Sequence, residues 1–112
     1  MNFIKQLDEV RHATKKQINE EHWHVEGIIK SKSNQKFKFD LSPIIKFEEN
    51  DYGKVGYFNS KSDKIVFDFK ENWILIDTEE LIEYVKETQK KDIDLNDLLD
   101  DLSWNIILSK IE

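Results

Sequence analysis

The feature that most constrains this chain is a change of hydrophobic period, from three or four residues near both ends to two in the middle. Over residues 3–18 the apolar positions Phe3, Ile4, Leu7, Val10, Thr14 and Ile18 return at helical spacing, while Lys5, Asp8, Glu9, Lys15 and Lys16 fall elsewhere. This predicts an opening amphipathic helix. The period then switches: Trp23, Val25, Gly27 and Ile29 alternate with His24, Glu26, Ile28 and Lys30, and residues 31–35 carry turn chemistry. Phe37, Phe39 and Leu41 share one face of a second extended run, which Pro43 interrupts before residues 44–47. Residues 48–53 form a polar turn. Residues 54–58, 64–69 and 73–76 read as further strands separated by short turns, so the middle of the chain is an antiparallel meander of five or six strands.

Helical spacing returns at Asp77. Asp77 and Glu80 form a D-x-x-E start signal, in which the aspartate accepts from free backbone N–H groups and the glutamate reaches back. The helix that follows runs to about Lys90 with Leu81, Ile82, Val85 and Thr88 as its core stripe, and Lys90 and Lys91 suit the negative end of its dipole. A last helix begins after Asp94 with Leu95, Leu98, Leu99, Leu102 and Ile106 on one face. The expected fold is therefore α+β: an N-terminal helix, the meander, and two C-terminal helices packed on one face. No repeat, linker or low-complexity stretch divides residues 1–112, which read as a single domain. A chain of this length buries roughly two-thirds of its unfolded surface, enough for one core, and its thirteen aromatic residues supply that core.

Several function classes are excluded or disfavoured by what the chain lacks. With no cysteine there is no disulfide framework, thiolate metal site or cysteine nucleophile, and a reducing cytoplasm is the expected setting. The apolar runs Trp73-Ile74-Leu75-Ile76 and Ile106-Ile107-Leu108 fall far short of the ~20 residues of a spanning helix, so no membrane is expected. Three glycines, Gly27, Gly53 and Gly56, give no phosphate-cradling loop. No G-x-S-x-G context for a serine nucleophile occurs, and no cofactor is implied.

The residues with chemistry are few. On an extended strand His22, His24 and Glu26 would project from one face, two imidazoles and a carboxylate of the kind that binds a divalent metal; the same alternation is an ordinary solvated face. This is the basis of an alternative reading as a small metal- or carboxylate-dependent hydrolase. Asp68, between Phe67 and Phe69, is the strand carboxylate most open to a catalytic reading, although it alternates outward if the phenylalanines face the core. Residues 30–46 hold five lysines against one aspartate with Phe37 and Phe39 interleaved. That composition could stack bases, but alternation separates the rings from Lys36 and Lys38, and the net charge of −6 disfavours direct nucleic-acid binding.

Charge is distributed unevenly. Residues 79–101 contain nine acids and three lysines, and the rest of the chain fourteen acids and fourteen basic residues, so the whole net charge of −6 lies in one helical segment. On a continuous last helix Asp94, Asp97, Asp100 and Asp101 span an arc of about 120°, opposite the leucine stripe. Such a ridge steers a basic surface; it also serves simply to keep a small domain soluble. Trp104, Ile107, Leu108 and Ile111 fall on the aspartate side of that helix. Either the helix ends near Ser103 and the tail repacks on the sheet, or an aromatic-centred interface adjoins the ridge. Together these features lead to the expectation of a small acidic, non-enzymatic binding protein. Its contact residues would be Glu83, Glu87, Asp94, Asp97, Asp100, Asp101, Trp104, Ile107 and Leu108. Its partner would be a basic protein, a nuclease or defence effector, as for an immunity protein or a phage or mobile-element inhibitor. Monomer and homodimer remain open, and the third alternative is a module that self-associates through Trp104.

Overall fold

The computed structural model describes residues 2–30, 32, 34–41, 46–47, 52–54, 60–89 and 92–110. Among these the fold is α+β, but the order of elements differs from the expected one at both ends. No long helix opens the chain. A 3-10 turn, Asn2–Gln6, leads straight into strand β1, Leu7–His12, and a separate short helix α1 follows at Lys15–Glu21. The helical spacing of Phe3 and Leu7 arises because one tight turn carries both side chains to the same core, where they are almost fully buried. Thr14, read as part of the apolar stripe, is the N-cap of α1: its Oγ1 accepts from Gln17 N at 3.2 Å, and its own N–H donates to Gln17 Oε1 at 3.0 Å. This reciprocal box satisfies two donors that the first turn of a helix otherwise leaves free.

The large sheet has six strands. To β1 are added β2 (Val25–Ile29), β3 (Lys36–Asp40), β6 (Lys64–Asp68), β7 (Asn72–Asp77) and β9 (Asn105–Ser109), in the order β1-β2-β3-β6-β7-β9. Every neighbouring pair is antiparallel except β3 with β6, which run parallel through Phe39 opposite Lys64 and Asp40 opposite Ile65. The sheet is thus mixed, not a continuous meander. Between β3 and β6 lie β4 (Lys46–Phe47) and β5 (Tyr52–Lys54), which form a second sheet with β8 (Asp92–Asp94). The expected strands at residues 44–47 and 54–58 are described only at Lys46, Phe47 and Lys54; the remainder of each lies outside the described residues.

The strand period of two sorts the core into two layers. On one face Ile65, Phe67, Ile74 and Ile76 pack with Leu81 and Tyr84 of helix α2 (Thr78–Thr88), Ile93 of β8, and Leu95 and Leu98 of helix α3 (Leu95–Asp101). The two C-terminal helices therefore cover one face, as expected. On the other face Val25, Ile29, Phe37, Phe39, Val66, Trp73, Leu75 and Leu108 form the second layer, plugged by Phe3. The Phe3 ring stands edge-on to Phe39 and Trp73, with centroids 5.3 and 5.9 Å away.

Two strand details bear on stability. In β1 the register slips so that Glu9 and Val10 together oppose Gly27, and Glu9 adopts a left-handed φ of 52°. At this bulge the strands approach closely: a Cβ on Gly27 would lie 3.1 Å from both Asp8 O and Leu7 Cβ. Gly27→Ala is expected to cost about 1–3 kcal/mol by overpacking. It should be read as a lower urea midpoint at unchanged slope; a midpoint equal to that of the parent would mean that the bulge yields without strain.

The last helix also differs from the sequence reading. It ends at Asp101, the Leu102 N–H closes on Leu98 O, and Ile106 and Leu108 belong to β9, paired with Leu75 and Trp73. Of the two alternatives for the tail, the structure takes the one in which it repacks on the sheet.

Candidate functional site

The end of β7 sets the position of α2. Asp77 leaves the strand in extended conformation, and its Oδ2 accepts from Glu80 N at 3.1 Å as the N-cap. Its Oδ1 meets the ammonium of Lys64, 6% exposed, at 2.7 Å. That ammonium lies 3.8 Å from the Trp104 ring centroid and 4.7 Å from that of Phe37, so one buried cation joins β6, β7, β3 and the residue just before β9.

Glu80 does not reach back to close a capping box. Its Oε2 instead accepts from Trp104 N at 3.1 Å, and its Oε1 from both Ser103 N, at 3.2 Å, and Ser103 Oγ. The carboxylate therefore fastens the turn after α3 to the first turn of α2. Asp94, expected in the acidic ridge, is the N-cap of α3: its Oδ1 accepts from Asn96 N at 2.9 Å and Asp97 N at 3.2 Å. Its carboxylate is thus committed to the helix start, whereas Asp97, Asp100 and Asp101 are exposed.

With both helices fixed in this way, a cleft of about 310 Å³ opens between them, lined by Glu80, Glu83, Tyr84, Glu87, Thr88, Asp101 and Leu102. Four of these seven residues are acidic and none is basic. The potential acts on Tyr84, whose phenol is pushed above its usual 10.0 first by burial and then by Asp101, Asp97 and Asp94. Tyr84 was not placed in the core stripe of α2. The helix is rotated so that Thr78, Leu81 and Tyr84 are its buried residues, while Ile82, Val85 and Thr88 are half-buried. A spacing of three from the N-terminal Thr78 carries this signal, but Thr78 reads as polar and conceals it.

The other candidate residues are dispersed. His22 ends α1 in a left-handed conformation, with φ at 57°. His24 Nδ1 accepts from Leu41 N at 3.0 Å and lies 3.6 Å from Asp40 Oδ1, and Glu26 Oε1 accepts from Arg11 Nε at 3.1 Å. His24 and Glu26 are engaged separately, and among the described residues no cluster of three or more metal-ligating side chains occurs. Asp68 is exposed and pairs with Lys110. Phe37 and Phe39 are buried in the second core layer and present no ring to a base.

Of the apolar tail residues on the aspartate side, Ile111 lies outside the described residues and Leu108 is buried in the core. Trp104 is half-buried, 6.1 Å from Phe37 between ring centroids, and only Ile107, 54% exposed on edge strand β9, remains open. They do not form one patch, because alternation along β9 sends Leu108 and Ile107 to opposite faces. No described helix is long and apolar enough to cross a membrane. The chain matches no protein-family model, no curated protein and no solved structure, so its chemistry is argued from its own residues.

Proposed function

We propose that this protein is a non-enzymatic binding protein whose acidic α2–α3 surface docks on a basic protein and occupies a groove that otherwise holds nucleic-acid phosphates. The observation that carries this reading is the coincidence of charge and shape. The segment that holds the entire net charge of −6 includes helix α2, strand β8 and helix α3, and the cleft between the two helices is lined by Glu80, Glu83, Glu87 and Asp101. Carboxylates spaced along a rigid surface present a basic groove with the sign of charge that it binds in a phosphate backbone, and they steer the encounter over a Debye length. An immunity protein of a nuclease toxin and a phage or mobile-element inhibitor of a defence effector both use this physics.

The test is direct. A basic protein retained by the immobilised chain at about 0.01 M ionic strength should elute by about 1 M, where screening confines charge effects to roughly 3 Å. It should also be displaced by a DNA or RNA duplex. The triple variant Asp97→Asn, Asp100→Asn, Asp101→Asn should keep its fold, since exposed helical aspartates contribute little to stability, but bind more weakly and with a shallower salt dependence. Equal binding of parent and triple variant at low salt would reduce the acidic surface to a solvated face.

A further inference from the structure

Within the acidic surface one side chain is out of keeping with a merely solvated face. Tyr84 is 8% exposed, its ring belongs to the core layer beneath α2 and α3, and it lines the cleft. Its hydroxyl has no hydrogen-bond partner among the described residues, yet it is not sealed off in the way that the unpaired Trp73 Nε1 is. A buried tyrosine ordinarily satisfies its hydroxyl within the protein. Here the residue lines a cavity whose rim carries the exposed carboxylates of Glu83 and Glu87 from α2 and Asp101 from α3. The nearby Glu80 carboxylate is already occupied by Ser103 and Trp104. Leu102 and Thr88 complete the walls with apolar surface.

We propose that the cleft is a receptor for a single arginine side chain presented by the basic partner, its guanidinium held by Tyr84 Oη, Glu83, Glu87 and Asp101. The shape and the donor count favour this occupant. A volume of about 310 Å³ is at the small end of ligand-sized clefts, which run from roughly 300 to 1,000 Å³. Leu102 and Thr88 suit an aliphatic stem that carries its charge at the tip. Acceptors arriving from two helices match a planar group with five N–H donors better than an ammonium with three. The Tyr84 phenol is neutral at pH 7, as any tyrosine is, and its hydroxyl accepts from a guanidinium N–H while its own proton turns toward a rim carboxylate. This inference rests on the docking reading above and narrows it to one subsite.

The experiment is an NMR titration of the full chain at low ionic strength with a blocked arginine tetrapeptide, its lysine counterpart and its citrulline counterpart. The arginine peptide should shift the resonances of Tyr84, Glu87, Thr88 and Leu102. The lysine peptide should bind several-fold more weakly, and neutral citrulline should not bind. Tyr84→Phe, which keeps the ring in the core, should weaken the arginine peptide about two- to tenfold, the range that one hydrogen bond supplies. Glu87→Gln, an exposed partner, should weaken it by up to about fivefold. Shifts confined to Asp97 and Asp100, with Tyr84 unmoved, would overturn the subsite while leaving charge-steered docking standing. Equal affinity for lysine and arginine would overturn the guanidinium assignment. Absence of any response across residues 79–101 would overturn both the subsite and the docking reading.

Discussion

Asp77→Ala is expected to destabilise the protein by about 3–5 kcal/mol, because it leaves the buried Lys64 ammonium without its anion and removes the α2 N-cap in one step. The magnitude follows from an asymmetry. Making a buried pair gains little, since desolvation opposes the Coulomb attraction, whereas removing one partner leaves an uncompensated charge that the Trp104 and Phe37 rings stabilise only in part. Lys64→Met should accordingly be neutral or somewhat stabilising, and Lys64→Met combined with Asp77→Ala should recover most of the loss. Urea unfolding of the four proteins closes the cycle. A loss below about 1 kcal/mol for Asp77→Ala would show that the pair does not hold α2 to the sheet.

Leu98→Ala should cost about 2–5 kcal/mol, as expected for a fully buried leucine. Leu98 packs in the same layer as Leu81, Tyr84 and Ile93, so its loss loosens the contact that sets α3 beside α2. The corresponding change at Leu102 has a second effect. Leu102 lines the cleft, and Leu102→Ala removes part of a wall of the proposed subsite as well as core volume. Thermal unfolding with and without the arginine tetrapeptide separates the two contributions. Leu98→Ala should lower the midpoint while keeping the peptide-induced increment, and Leu102→Ala should diminish both. A midpoint for Leu98→Ala within a degree or two of the parent would contradict the assigned packing.

The strands were legible in proportion to how cleanly their two faces differ. In β2, Val25, Gly27 and Ile29 are buried while Glu26 and Ile28 are half-buried, and that alternation is written directly in the sequence. The opening segment misled because a 3-10 turn running into a strand brings Phe3 and Leu7 to one core just as a helix would. The sequence held a correction in Thr14-Lys15-Lys16-Gln17, a capping box that places a helix start after Thr14. Strand β8 was not legible: three residues, Asp92–Asp94, have no measurable period, and their pairing with β5 is purely tertiary. At the candidate site the acidic composition was legible and the cleft was not. Asp94 and Glu80 are spent on holding the backbone, whereas Glu79, Glu83, Glu87, Asp97, Asp100 and Asp101 are exposed. Tyr84 became visible only once the rotation of α2 was known.

The parallel contact between β3 and β6 divides the large sheet into two ribbons of different connectivity. Along the first, β1-β2-β3, and in the pair β6-β7 each strand pairs with the next one of the large sheet in antiparallel fashion, whereas the seam between them rests on two registered parallel pairs, Phe39 with Lys64 and Asp40 with Ile65. Closing a long loop before any contact repays it is the entropically demanding event in folding, so the β2-β3 and β6-β7 hairpins are the local structure, and the seam and the β7-β9 pairing are the non-local ones. Lys64, at the seam, is also the residue whose ammonium meets Asp77 at the start of α2. The support that Lys64 gives to the start of α2 is therefore local to the β6-β7 pair, in which Lys64 stands opposite Asp77, whereas β9 and the turn after α3 that Glu80 holds come from farther along the chain.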